Sequence, residues 1–404
     1  MAPSFYDCNA PDEQEVSLPS APLITLSNNA YLQPPLTRRG TGPGMIAFLP
    51  PSSAYKPNTE KTLDPEPVQK WAEEGFAVVG VYNGKGWTIE EALKKGIEAL
   101  LSLEELDTRD KFAIYVYDPN ILPQVISQIQ HIQDSRMSCI VAVGDSGTLP
   151  SIPMYLHLPP TAKNPANLTS HKFSKSPYFL LPQSADYSPI EATLAHSRVL
   201  VFLRKSLKGP VFDIEAIWEE HTYFEFELRS VAKTMGTMVA EPYVNHVPTV
   251  GIILFSLMTG GVGRKALSAF YRDHFIFANP ADTTMIPISR TVGSDRVVDE
   301  FIFKMTHDKV VDWLLPGVPP TGKLLEIPMM GVINIRGDRL YHEHIWWDQA
   351  TALLQAGVLP RHVSYPTSEG QKELRLPVSG VESAHMLINE MDGKSNEMLA
   401  SSWV

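Results

Sequence analysis

The sequence predicts two units of different kinds: an α/β unit on a mostly parallel sheet, followed by an α+β unit with a curved antiparallel sheet and helices. Three observations predict this. Between about residues 41 and 208, continuous apolar runs of strand length alternate with stretches of helical periodicity, the pattern of a parallel sheet covered by helices. After residue 209, helical stretches come first and strand-like stretches follow one another. Within the later part, Gly337-Asp338 separates two apolar runs as a hairpin turn does.

The elements follow in order. Residues 1–40 are rich in Pro, Ser and Asn and read as an irregular arm. Residues 44–50 read as a buried strand, 65–74 as a helix closed by Gly75, and 76–82 as a second strand. Ile89, Leu93, Ile97, Leu100 and Leu101 recur at helical spacing. Strands are expected at 112–117 and 139–143, with a helix over 123–133 between them. A helix over 190–207 closes the unit before a linker at Lys208-Gly-Pro210. In the second unit, spanning 209–365, Asp213 is placed to cap a helix carrying Ile214, Ile217, Trp218 and His221. Further helices are expected over 227–238 and 264–274. Strands are expected at 284–292, 296–308, 323–336 and 339–348. The segment 366–404 reads as a polar tail without regular structure.

Composition narrows the function. The chain has 404 residues, 44% of them hydrophobic, and a net charge of −11 with no basic stripe, which argues against nucleic acid as a partner. Two cysteines, Cys8 and Cys139, make neither a disulfide framework nor a cysteine-rich zinc site. The first residues lack an apolar core of the secretory type, and the longest apolar run, about 250–258, is too short to span a bilayer. The expectation is a cytoplasmic protein with no membrane partner; the sequon at Asn167 carries no meaning there. Gly144-Asp-Ser-Gly147, Gly40-Thr-Gly-Pro-Gly44 and Gly260-Gly-Val-Gly263 have the flavour of protease, dinucleotide and phosphate loops, but none has the required context or spacing.

The most informative stretch is Arg339-Leu-Tyr-His-Glu-His-Ile-Trp-Trp-Asp348. Strand side chains alternate between faces, so His342, His344, Trp346 and Asp348 should share one face, and Tyr341, Glu343, Ile345 and Trp347 the other. Two imidazoles, an indole and a carboxylate are costly to bury without partners, and they are what a water-poor acid–base pocket needs.

Several motifs, in order, resemble the SnoaL-like polyketide cyclases of the nuclear transport factor 2 superfamily. They are Glu241-Pro-Tyr-Val-Asn-His-Val-Pro-Thr249, Val298-Asp-Glu-Phe301, Thr306-His-Asp308, Asp312-Trp-Leu-Leu-Pro-Gly317, Pro320-Thr-Gly-Lys323 and Glu343-His-Ile-Trp-Trp-Asp-Gln349. The resemblance spans about 150 residues, from Val211 to Pro360. It implies a cone-shaped α+β fold around an apolar pocket, usually in a homodimer. It also implies enolisation, ring closure, dehydration or isomerisation without a cofactor, and a general-base Asp on the last long strand, matched best by Asp348. More faintly, residues 40–208 resemble the dienelactone hydrolase branch of the α/β-hydrolases, with Ala195-His-Ser-Arg-Val-Leu-Val-Phe-Leu203 as the closing helix. That family carries its nucleophile in a Gly-x-Cys-x-Gly elbow. The matching turn here is Tyr117-Asp-Pro-Asn120, without Cys, Ser or Gly, so the first unit is expected to be catalytically inactive.

The resulting expectation is a cofactor-independent cyclase, isomerase or dehydratase acting on a hydrophobic, carbonyl-bearing intermediate. Asp348 would be the base, with His344, His342 and His246 assisting. Trp218, His221, Tyr223, Tyr243, Trp313 and Trp346 would line the pocket, with no metal required. His246 and Tyr243 sit in a segment that reads as a turn before Pro248. Each residue has a structural alternative. Asp348 is equally well placed to cap the helix 349–355, and His342 and His344 to be satisfied core imidazoles. A lactone or ester hydrolase and a non-catalytic small-ligand binder are the competing functions.

Overall fold

The computed structural model describes residues 3–145, 147, 150–164, 168–249, 259–394 and 396. The apolar run 250–258, Asn167 of the sequon and Ser146 lie outside the described residues. The chain divides into two compact units. One comprises Leu18–Asp213 and the turn Arg336–Asp338; the other comprises Met1–Ser17, Ile214–Ile335 and Arg339–Val404.

The first unit carries strands β1 (Ile24–Ser27), β2 (Ala30–Gln33), β3 (Gly42–Leu49), β4 (Ala77–Tyr82), β5 (Leu106–Val116), β6 (Met137–Val143), β7 (Met154–Leu158) and β8 (Thr169–Lys172). Its helices are α1 (Pro67–Glu73), α2 (Ile89–Leu101), α3 (Leu122–Ile132) and α4 (Pro189–Leu207). The strands form one sheet in the order β1-β2-β4-β3-β5-β6-β7-β8. β2 runs antiparallel to β1 and β4, and the remaining pairs are parallel. Both faces are buried. Leu93, Ile97, Val125 and Ile126 of α2 and α3 cover one, and Val68, Trp71, Val199 and Leu203 of α1 and α4 the other. That is why β3 and β6 read as unbroken apolar runs. Local chemistry starts the helices: Thr88 and Glu91 form a reciprocal capping box on α2, and Pro stands in the first turn of α1, α3 and α4.

The arm expected to be irregular departs from that expectation, because residues 24–33 form the β1–β2 hairpin, hydrogen-bonded to β4 through β2. The turn Tyr117–Asn120 after β5 contains no residue with positive φ.

The second unit carries helices α5 (Ile214–Thr222), α6 (Val231–Gly236), α7 (Arg264–Phe270), α8 (Gln349–Ala356) and α9 (Glu382–Ile388). Its strands are β9 (Met238–His246), β10 (Thr259–Val262), β11 (Thr284–Val292), β12 (Arg296–Thr306), β13 (Leu324–Arg336), β14 (Arg339–Trp347), β15 (His362–Thr367) and β16 (Gly370–Arg375). Six of them form a sheet in the order β10-β9-β14-β13-β12-β11, in which β9 and β14 are parallel. Two single π-helical turns, Tyr223–Glu227 and Tyr271–Phe275, continue α5 and α7, with Leu228 N–H bonding the Tyr223 carbonyl and Ile276 N–H that of Tyr271. Turns of this kind widen a helix and occur often at functional sites. Gly261 of β10 lets α7 approach closely, since a Cβ there would lie 2.5 Å from the Leu267 Cα.

Two expectations are corrected here. Tyr243 and His246 lie in a strand, β9, not a turn. The β9–β14 register shifts between Leu340 and His342, so Pro242 sits where the ladder is already broken and the strand runs on to His246. The tail expected to lack structure forms the β15–β16 hairpin and α9; alternation in a mostly exposed hairpin leaves no apolar pattern to read.

Candidate active site

A cavity with about 440 Å³ of empty volume, open solvent included, lies between the six-stranded sheet and α5, the two π-turns and Trp313. Its walls are mostly aromatic and sulfur-bearing: Trp218, Phe226, Phe275, Phe301, Phe303 and Trp313, with Met285 and Met329. Buried hydrogen bonds fix the two indoles. Trp218 Nε1 donates to Asp299 at 2.8 Å, and Trp313 Nε1 donates to Asn279 at 2.9 Å. Asp299 is itself held by Arg290 at 2.9 Å.

One polar cluster interrupts this wall. His221, at the C-terminal end of α5, places Nε2 3.1 Å from Glu225 Oε1 and 3.1 Å from Glu343 Oε1. His221 and Glu225 are four residues apart, so helical geometry stacks them. Glu343 reaches them from β14. The Tyr271 hydroxyl, on the second π-turn, donates to Glu343 at 3.2 Å. His221 Nδ1 lies 2.6 Å from the Thr237 hydroxyl, which gives its own proton to the Thr234 carbonyl, so Nδ1–H is the donor. Both imidazole nitrogens therefore face acceptors. Burial alone would lower the His221 pKa, but the two carboxylates outweigh it and hold it up at about 10. Burial raises Glu225; the imidazolium opposes that shift and Glu343 adds to it. A protonated His221 between two carboxylates leaves one negative charge uncompensated, and Glu225 is the carboxyl that burial and Glu343 hold above its ordinary range. Burial, with Glu343 and Glu225, drives the Tyr271 phenol far above its ordinary value. Among the described residues, His221, Glu225 and Glu343 are also the group whose ligand atoms lie close enough together to hold a metal ion.

His246 lines the same cavity from β9. Burial pushes its pKa down to about 3, so the ring is neutral.

The residues singled out in the sequence separate into two groups. Trp218, His221, His246 and Trp313 lie at or beside the cavity. Alternation along β14 is observed, but the inward face is the opposite of the one expected: Glu343 and Ile345 line the cavity. His342 and His344 stack on each other at 4.4 Å, and His342 stacks on Tyr243, whose hydroxyl is 3.2 Å from His344 Nε2. The aromatic stack accommodates these imidazoles without a pocket. Trp346 and Tyr223 are about half exposed. Asp348 is exposed and caps α8, accepting from the backbone N–H groups of Ala350 and Thr351 at 3.2 Å each and from the Thr351 hydroxyl at 2.7 Å. The mutation Asp348→Ala is expected to cost about 1 kcal/mol of stability in denaturant unfolding, the usual value of such a cap, and to leave turnover unchanged.

Sequence reasoning missed Glu225, Glu343 and Tyr271. The i, i+4 spacing of His221 and Glu225 was an available signal; Tyr271 gave none, because it depends on a π-turn.

No family model and no curated protein matches the chain. Among solved structures, a candidate SnoaL-like polyketide cyclase from Jannaschia sp. CCS1 is 16% identical, with 38% of this chain and 99% of that one covered and a TM-score of 0.29. IdmH, a candidate polyketide cyclase from Streptomyces antibioticus, is 20% identical over 36% of this chain and 100% of its own, with a TM-score of 0.30. A protein with a ketosteroid isomerase-like fold from Catenulispora acidiphila is 14% identical over 37% of this chain and 96% of its own, with a TM-score of 0.26. The chain is thus similar, over somewhat more than a third of its length, to structures described as SnoaL-like or ketosteroid isomerase-like.

Proposed function

We propose that the second unit is an acid–base enzyme of the SnoaL-like kind: a cyclase, isomerase or dehydratase for a hydrophobic, carbonyl-bearing natural-product intermediate. The observation that carries this reading is the buried Glu225–His221–Glu343–Tyr271 cluster in the wall of an otherwise aromatic cavity. Buried titratable groups with displaced pKa values, convergent on an apolar pocket, are the usual mark of a catalytic site. The aromatic walls exclude water and lower the local dielectric, so a carbonyl oxygen facing the cluster meets shared protons that act more strongly than they would in water. Every proton involved sits on this chain's own side chains, and the chemistry calls for no cofactor.

We read the first unit as a hydrolase-like scaffold that is itself inactive. Its mostly parallel sheet suits the α/β-hydrolase resemblance. The turn after β5, Tyr117–Asn120, offers neither a Cys or Ser nucleophile nor the strained backbone that presents one. A homodimer formed through the second unit belongs to the same reading.

The test compares small molecules, by mass, from the source organism with and without the gene, complemented by wild type or by Glu343→Gln. A precursor equal in mass to the missing product means cyclase or isomerase, and one heavier by a water means dehydratase. One lighter by a water means hydrolase and contradicts the proposal. Unchanged metabolites favour a ligand-binding protein.

A further inference from the structure

The polar cluster in the cavity wall has the geometry of a metal site as well as of a hydrogen-bond network. His221 Nε2 carries at most one proton, yet three oxygens surround it: Glu225 Oε1 and Glu343 Oε1 at 3.1 Å each, and the Tyr271 hydroxyl at 3.3 Å. One N–H divided between two carboxylates serves both poorly, whereas a cation among them is bonded by both. His221 Nδ1–H is already committed to the Thr237 hydroxyl. That bond fixes the ring and aims Nε2 at the two carboxylates, as the second nitrogen of a metal-binding imidazole does.

The distances suit a small transition-metal ion. Zinc takes nitrogen and carboxylate oxygen at about 2.0–2.2 Å, which sets neighbouring ligand atoms of a tetrahedron roughly 3.3–3.6 Å apart. Both nitrogen–oxygen spacings here are 3.1 Å, and the three ligand atoms all lie within 4.8 Å of one another. An ion is therefore seated among them by side-chain shifts on the order of a few tenths of an ångström. Charge agrees with geometry. Two carboxylates and a neutral imidazole balance a divalent cation, whereas the imidazolium leaves one negative charge over among buried side chains. The Tyr271 hydroxyl stays outside the ligand set and holds Glu343 in place at 3.2 Å. Glu225 and Glu343 line the cavity, so the fourth position of a tetrahedral ion opens on it. Ca²⁺, which takes about six to eight oxygens, and Mg²⁺, which demands an octahedron, both fit three such ligands badly, and imidazole favours the later transition metals.

We propose that His221, Glu225 and Glu343 form a binding site for a divalent transition-metal ion of the zinc type, and that this ion and the cluster's protons exclude each other. Ion and proton use the same lone pairs. Binding therefore expels the Nε2 proton, and any proton on Glu225, into solvent, and the Nε2 and carboxylate electron pairs form the bonds to the metal. The ligand geometry carries this inference whether or not the function proposed above holds. If it holds, the loaded protein keeps its pocket but lacks the protons that the chemistry draws on, so the ion is a competitor at the site and not its cofactor.

The probe is Zn²⁺ alone, titrated by calorimetry into the metal-free full-length protein at neutral pH, in two buffers of different ionisation enthalpy. One ion per chain, bound at micromolar affinity or tighter and with net release of protons, is expected. Co²⁺ in its place should give the intense visible bands of a tetrahedral ion, without the sulfur-to-metal band that Cys8 or Cys139 would add. Glu343→Gln and Glu225→Gln each leave His221 paired with one carboxylate, so the fold survives. Each should weaken Zn²⁺ binding by about 100-fold or more, beyond the 10–100-fold typical of a lost outer partner. Thr237→Val should weaken it by about 10–100-fold and Thr237→Ser restore it, as an orienting hydroxyl requires. His344→Gln should bind as wild type does, since that imidazole is held by Tyr243 and not by the cluster. Full affinity in both Glu343→Gln and Glu225→Gln means an adventitious ion only and overturns the proposal. So does the absence of Zn²⁺ binding, displacement of Co²⁺ by an equal concentration of Mg²⁺ or Ca²⁺, or binding without proton release. Each of these leaves the function proposed for the second unit standing, because the metabolite comparison decides that separately.

Discussion

Turnover in Glu343→Gln is expected to fall by about two to four orders of magnitude, the range a positioned proton-transfer group supplies. The amide is nearly isosteric, and its carbonyl oxygen can still accept from Tyr271, so the packing of β14 against the cavity survives. What is lost is one of the two carboxylates that hold His221 protonated. The remaining pair, His221 and Glu225, is electrically balanced, so the variant should fold at least as stably as wild type. Glu225→Gln should behave in the same way. The check is steady-state turnover alongside denaturant unfolding: lost turnover with retained stability separates a catalytic from a structural carboxylate.

Removing His221 should do the reverse and strike stability first. The buried imidazolium is the counter-charge that Glu225 and Glu343 share, and His221→Gln leaves both carboxylates without it. Breaking a buried pair in this way typically costs about 3–5 kcal/mol. The pH dependence has a definite sign. The folded-state pKa of His221 is raised, from 6.5 to about 10. Its stabilisation is therefore fully present below about pH 6.5 and is lost as pH rises through about 10, at a slope of about 1.4 kcal/mol per pH unit while only the folded state holds the proton. Unfolding of the second unit, followed through Trp218 and Trp313 from pH 6 to 10, should show this fall in wild type. The slope should be absent in His221→Gln, and adding Glu225→Gln should recover part of the lost stability at pH 7.

Much of the architecture was readable because it depends on short-range pattern. Continuous apolar runs marked β3, β4 and β6, and helical spacing marked α2 and α4. The site was only half readable. Alternation along 339–347 separates the side chains into two sets in any strand, but it does not say which set faces the helices. The polar set drew attention because two imidazoles and an aspartate resemble acid–base machinery. In the fold the imidazoles are accommodated by a stack with Tyr243 of β9, and the aspartate by a local N-cap. The inward set holds one carboxylate, Glu343, whose importance depends on partners 72 and 118 to 122 residues earlier in the chain, at Tyr271, Glu225 and His221. Two of those partners depend on π-turns, which leave no periodic trace. His246 was recognised as a candidate, but its segment read as a turn, whereas it lies in β9 with Thr259 of β10 opposite it.

On the proposed function, the reacting carboxylates are those inside the cavity and not the one at the end of the strand. Complementation of a gene deletion by Glu343→Gln and, in parallel, by Asp348→Asn tests it most directly, with the missing metabolite as readout. Asp348→Asn is expected to restore the metabolite and Glu343→Gln is not. Restoration by Glu343→Gln, with failure of a folded Asp348→Asn, would contradict it and return the chemistry to the far end of β14.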